Sequence, residues 1–182
     1  MATDTIPLAI LVERRALDNP WQDCQWRALA VLTDPPPEAG KGWTWLRSEG
    51  PHQHYLAGVL PLHLWPDDVG SYRFNLESAT PSLYVVLRPD DSAPEHPYRL
   101  VMISAAPDEV QPLMESGSDL IDAVPMPPSL QAQLAAFITA HPVEQNFVKR
   151  QRKSWAPEAG GRLRDSPSQH TKTQGPRHEP AR

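Results

Sequence analysis

Eighteen prolines fall within residues 1–148 of this 182-residue chain. Proline has no backbone N–H, so it cannot join a strand ladder or a helix interior without the loss of a hydrogen bond. At that density, regular elements are held to short runs between breaks. A helical bundle is disfavoured, and a loop-rich β or mixed fold is expected. Residues 1–148 suffice for one ordinary core and contain few linker-like breaks, so one globular domain is expected.

Apolar alternation locates the strands. Ile6, Leu8, Ile10 and Val12 share one face of a first strand. After a polar loop with Asp18-Asn19-Pro20, residues 26–32 read as its hairpin partner. Pro35-Pro36-Pro37, with Gly40 and Gly42, interrupts regular structure before Trp43-Thr44-Trp45-Leu46. Residues 54–64 form the longest strand candidate, with Leu56, Leu60, Leu62 and Leu64 on one face and Pro61 marking an edge or a bulge. Residues 83–87 and 100–103 are apolar on both faces, which predicts central strands.

Residues 67–76 read as one or two helical turns or a loop. Pro107-Asp108-Glu109-Val110 starts a helix that Pro112 is expected to shorten. Residues 121–124 make a last strand. Residues 128–140 form the clearest helix, with Leu130, Leu134, Phe137 and Ile138 in one stripe. The expected fold class is α+β: a single domain with a curved, mostly antiparallel sheet of about six strands, a small inserted helix and a C-terminal amphipathic helix. Strands and helices do not alternate regularly, which counts against a nucleotide-binding βαβ arrangement.

Charge divides the chain at Lys149. Residues 149–182 carry nine Lys/Arg against three Asp/Glu, a net +6, which leaves −11 on the first 148. Lys149, Arg150, Arg152 and Lys153 concentrate four cations in five residues. They are expected to form a basic helix end, with Val143, Phe147 and Trp155 near one face, followed beyond Trp155 by a disordered tail. Such a cluster suits an acidic protein, phosphate or an anionic surface, or it simply satisfies the last carbonyls of a helix. The acidic body repels phosphate, so nucleic acid is the weaker partner. No apolar run reaches the ~20 residues of a membrane span, and no secretory leader pattern is present. With a single cysteine, Cys24, the expectation is a cytoplasmic protein.

Motifs for chemistry are sparse. His52 and His54 share a side of any strand that holds both, and His63 lies nearby. A zinc site needs three or four ligands, and neither a cysteine pair nor a His-Glu-x-x-His is present, so surface histidines are the simpler reading and no metal is expected. Cys24 lacks a basic neighbour before Arg27, as an inert thiol would. Ser104 lacks a nucleophile-elbow context, and Gly40 and Gly42 do not make a phosphate loop. No catalytic residue and no cofactor is expected. Trp26 and Trp45, in strands, are expected in the core. Trp21 follows Pro20 in a polar loop and is a candidate partner contact. Asp67, Asp68, Tyr72, Arg73 and Asn75 form the densest polar cluster, a possible polar site, although an exposed turn is the favoured reading of the same residues.

Four blocks in order carry a family resemblance: residues 6–15 running into Trp21-Gln22-Asp23 and Trp26-Arg27; Tyr72-Arg73-Phe74-Asn75-Leu76; residues 81–87; and Val124-Pro125-Met126-Pro127 with its helix, ending in Lys149-Arg150-Gln151-Arg152. Over residues 6–155 the chain resembles the bacterial domain-of-unknown-function family 3305 (DUF3305). The resemblance brings no catalytic residues. It implies a context, because such proteins are often encoded beside molybdenum- or tungsten-dependent formate dehydrogenase subunits and a dedicated redox-enzyme chaperone. The expected function is a non-enzymatic accessory protein that aids formate dehydrogenase assembly through protein contacts, with Trp21 as anchor and Lys149, Arg150, Arg152 and Lys153 steering. The alternatives are a small enzyme or cofactor-handling protein whose site converges only in three dimensions and, more weakly, nucleic-acid binding through the basic arm.

Overall fold

Strand β1 (Asp4–Ala16) is the longest shared ladder of the fold, pairing antiparallel with β2 (Cys24–Leu32) on one side and β4 (His52–Leu64) on the other. β3 (Thr44–Glu49) adds to the far edge of β4, giving the order β2-β1-β4-β3. A second antiparallel sheet has the order β6-β5-β7, built from β5 (Ser82–Pro89), β6 (Tyr98–Ser104) and β7 (Leu120–Pro125). This computed structural model describes residues 4–92 and 95–142. The helices are α1 (Val69–Leu76), α2 (Pro107–Ser116) and α3 (Pro128–Ala140).

The fold is α+β, as expected, but the strands form two sheets where one was expected. β7 runs beside β2 and β6 beside β4, yet the described ladders stop at these seams. At one seam a side chain bridges the gap: the Ala28 N–H donates to Asp122 Oδ2 at 2.6 Å. Burial pushes the Asp122 carboxyl above its ordinary value, against the Ala28 N–H and the Arg27 charge. The facing surfaces share one core of Leu8, Ile10, Val12, Leu62, Leu64, Leu83, Val85, Leu87, Ile103 and Val124. From α3, Leu130, Leu134 and Phe137 join it, and from α1, Val69 and Tyr72. Each such side chain stabilises the fold by about 1.5–3 kcal/mol on leaving water.

Several local expectations are corrected by the backbone. Leu56 does not share a face with Leu62 and Leu64; it packs on the opposite face with Ala9 and Ala39. The cause is a bulge, because Ile10 pairs with Gly58 and Leu11 with Leu56, which leaves Ala57 extra and inverts the alternation. Gly58 sits there at φ 143°, where an added Cβ would lie 3.2 Å from Leu100 Cδ1. Pro61 faces Pro7 directly. Neither needs to donate, because β3 pairs with β4 only as far as Leu56 and β2 with β1 only from Ala9. β5 is central and doubly buried, as its sequence predicts, whereas β6 lies at the edge of its sheet with Leu100, Val101 and Met102 half-buried.

Residues 69–76 are helical. The Asn75 amide donates to the carbonyls of Ser82 and Ala105, both at 2.7 Å, and accepts the Ser82 N–H at 3.0 Å. Thus α1 is pinned to the start of β5 and the end of β6. Pro112 does not shorten α2, which continues to Ser116 and ends at Gly117 with φ 65°. Only the bond to the Asp108 carbonyl is forfeited, while Val110 anchors the helix in the core. Among the described residues, no helix is long and apolar enough to cross a membrane.

Candidate functional site

One end of the four-stranded sheet gathers the features that ordinary packing leaves unused. Register places there the ends of β1 and β3 and the starts of β2 and β4. The connection between β1 and β2 is an ordered loop. The Leu17 N–H donates to the Asp23 carbonyl at 2.9 Å, and the Trp21 N–H to Asn19 Oδ1 at 3.0 Å, closing an Asx turn. The Ala16 N–H ties it to the Pro51 carbonyl at 2.8 Å. These bonds hold Trp21 with 92% of its surface exposed. A large indole presented so openly on a fixed loop costs hydration free energy that burial against a partner recovers.

Beside this loop lies a cup of about 540 Å³, lined by Arg14, Cys24, Trp26, Trp45, Gln53 and Tyr55 with Glu95, His96 and Pro97. Its floor follows from register, because Trp26, Arg14 and Gln53 stand opposite one another on β2, β1 and β4. Its walls are rings. Trp26 meets Trp43 edge-on at 5.7 Å and Tyr55 at 5.5 Å, and Trp43 stacks on His96 at 5.0 Å with planes 7° apart. Polar groups converge on Gln53, whose Oε1 accepts from Arg14 Nη1 at 3.2 Å and from the Tyr55 hydroxyl at 3.0 Å. His96 Nδ1 is buried without a hydrogen-bond partner among the described residues. Trp45, expected in the core, is 57% exposed at the rim. β3 is an edge strand whose residues past Thr44 are all exposed, and Trp43, just before it, is the one that packs half-buried against the core.

The opposite face of the same sheet holds a buried charge. Glu13 is 4% exposed, and its Oε1 accepts from Arg27 Nε at 2.7 Å. Its Oε2 meets His52 Nδ1 at 3.0 Å and His54 Nε2 at 3.3 Å. His54 is buried and also accepts from Arg47 Nε at its Nδ1, at 3.0 Å. Burial raises the Glu13 carboxyl, but the bonds from Arg27, His54 and His52 and the Arg27 charge outweigh it, leaving the group below its ordinary value. His52 and His54 do share a side, as their spacing predicts. Their ring nitrogens converge on the carboxylate itself, and among the described residues no three His, Cys, Asp or Glu side chains are arranged to hold a metal ion. Glu13 was missed because its partners lie 14 to 41 residues away; only the His52/His54 pair left a trace in the sequence.

The polar cluster of residues 67–75 is brought together only in part: Asp68 lies beside Asp67 and Tyr72, while Asn75 bonds instead to Ser82 and Ala105. Tyr72 and Asn75 are buried, while Asp67 and Arg73 are exposed. The Tyr72 hydroxyl accepts the Trp65 N–H at 3.1 Å, and burial pushes its phenol up to about 12, so it stays neutral. Burial, followed by the nearby carboxylates Glu109, Asp67 and Asp108, raises Asp68. Cys24 is half-buried in the cup wall, and Ser104 bonds locally within the turn to Ala106. Lys149, Arg150, Arg152 and Lys153, with Val143, Phe147 and Trp155, lie outside the described residues.

Comparison with known proteins finds the family described as a protein of unknown function, DUF3305, matching residues 7–152. No curated protein and no solved structure matches.

Proposed function

We propose that this chain, which belongs to the DUF3305 family, is a non-enzymatic accessory protein that docks on another protein through the Trp21 end of its four-stranded sheet. The observation that carries this reading is the 92% exposure of Trp21 on a loop held by its own hydrogen bonds. An aromatic anchor already fixed in place loses little conformational entropy on binding, which is what a hot-spot residue requires. Trp45 at the neighbouring rim extends the apolar surface. The four cations at 149–153 supply long-range attraction to an acidic partner. The partner that the family resemblance implies is a bacterial formate dehydrogenase subunit or its assembly chaperone, met in the cytoplasm during maturation. A pull-down from cells making that enzyme tests the reading. Wild-type protein recovers the dehydrogenase or its chaperone, and Trp21→Ala with the cluster neutralised does not. Recovery unchanged by both sets of substitutions removes these residues from the docking surface.

A second reading, a small enzyme or cofactor-handling protein, is favoured by the cup, where Arg14, Gln53, Tyr55 and His96 converge from three chain segments. Gene deletion tests the accessory role in the cell. An accessory role predicts formate dehydrogenase that lacks activity or metal cofactor. Full activity with intact cofactor contradicts it.

A further inference from the structure

Arg14 stands in the cup without a counter-ion. Among the described residues no carboxylate lies within ion-pair distance of it, and its side-chain hydrogen bond goes to the neutral Gln53 amide oxygen. Arg27, Arg47 and Arg88 are matched, with Glu13, Glu49 and Asp119. Arg15, Arg73 and Arg99 also lack an ion-pair partner among the described residues, but they lie exposed, whereas Arg14 is half-buried. Around Arg14 the walls are flat and aromatic, with Trp26, Trp45 and Tyr55 and the His96 ring that Trp43 backs. The His96 ring lines the same cup, and its buried Nδ1 has no hydrogen-bond partner among the described residues.

We propose that the cup is a binding site for a small planar aromatic acid, its ring between the aromatic walls and its anionic group on Arg14. The volume, about 540 Å³, lies in the range of small-molecule sites. Ring faces favour a flat apolar body over an aliphatic one. The guanidinium matches a carboxylate or phosphate oxygen pair. Cation capture by an aromatic cage is opposed by the positive charge already on Arg14, and Glu95 lies on the exposed rim. The inference goes beyond the docking reading, since a protein that docks through Trp21 need hold nothing here. Failure of the binding test therefore leaves the Trp21 pull-down untouched.

Three naphthalene probes of matched shape test the site on the full chain: 2-naphthoate, the neutral 2-naphthamide and the cation 2-naphthyltrimethylammonium. Calorimetry gives the affinities, and saturation-transfer NMR confirms contact. The acid is expected to bind about tenfold tighter than the amide, the contribution of one charge-assisted bond in a half-buried site. The cation is expected to bind weakest. Arg14→Gln removes the preference for the acid while leaving amide binding in place, and Arg14→Lys restores part of it. If Arg14→Gln does not fold, the wild-type series alone decides. Equal binding of acid and amide assigns the cup to a partner's aromatic side chain and overturns the proposal. So do tightest binding of the cation, a preference that survives Arg14→Gln, and no binding at about 10 mM, well above the millimolar Kd usual for fragments of this size.

Discussion

Replacing Glu13 by glutamine tests how this fold tolerates a carboxylate that is 4% exposed. Glutamine keeps the shape but takes the negative charge out of three bonds, those from Arg27, His52 and His54. A bond to a charged group contributes about 1.5–3 kcal/mol and a neutral one about 0.5–1.5. The two histidine bonds therefore lose about 2–3 kcal/mol undiscounted, while the Arg27 bond stays charge-assisted through its guanidinium. Water screens two of the three, because the side chains of Arg27 and His52 are 51% and 35% exposed. Only the His54 bond keeps its full weight. The expected loss is about 1–2 kcal/mol, a drop of a few degrees in Tm. The pH dependence supplies a sign. The folded Glu13 carboxyl lies below its ordinary 4.5, so the native state binds fewer protons there than the unfolded chain. Its contribution is full above that value and is lost as the pH falls through the folded one. Urea denaturation of wild type and Glu13→Gln at neutral pH and in a series below pH 4.5 measures the gap. The gap should close on acidification. A gap below about 0.3 kcal/mol at neutral pH, or one that widens in acid, refutes the reasoning.

Asn75→Ala removes three bonds that pin α1 to β5 and β6; a loss of about 2–4 kcal/mol in chemical denaturation is expected. Gly58→Ala places a methyl group at φ 143° and 3.2 Å from Leu100, and should cost about 1–3 kcal/mol. Trp21→Ala should leave Tm within about 1 °C of wild type, because the indole buries almost nothing in the free protein.

Patterns that depend on neighbours in the chain were legible before the structure. α3 shows its stripe at Leu130, Leu134 and Phe137, and β5 its doubly apolar run, because each pattern lies within a single element. The division into two sheets was not legible, since it depends on which strands exchange ladder bonds across the chain. The bulge at Ala57 left no sequence mark beyond a glycine at 58, so alternation put Leu56 on the wrong face. Trp43 and Trp45 differ by two residues, and the edge position of β3 leaves Trp45 exposed while Trp43 packs half-buried against the core. The cup follows the same logic. Arg14, Trp26, Gln53 and His96 are unremarkable in sequence and meet only because register and the seam between β4 and β6 bring them together.

Site-specific photo-crosslinking at position 21, in cells that assemble formate dehydrogenase, tests the docking claim most directly. A benzophenone amino acid in place of Trp21 should form an adduct with a formate dehydrogenase subunit or its chaperone, and the same reporter at Gln133 on α3 should not. An adduct at Gln133 with none at position 21, or no adduct with either protein, would contradict docking through this end of the sheet.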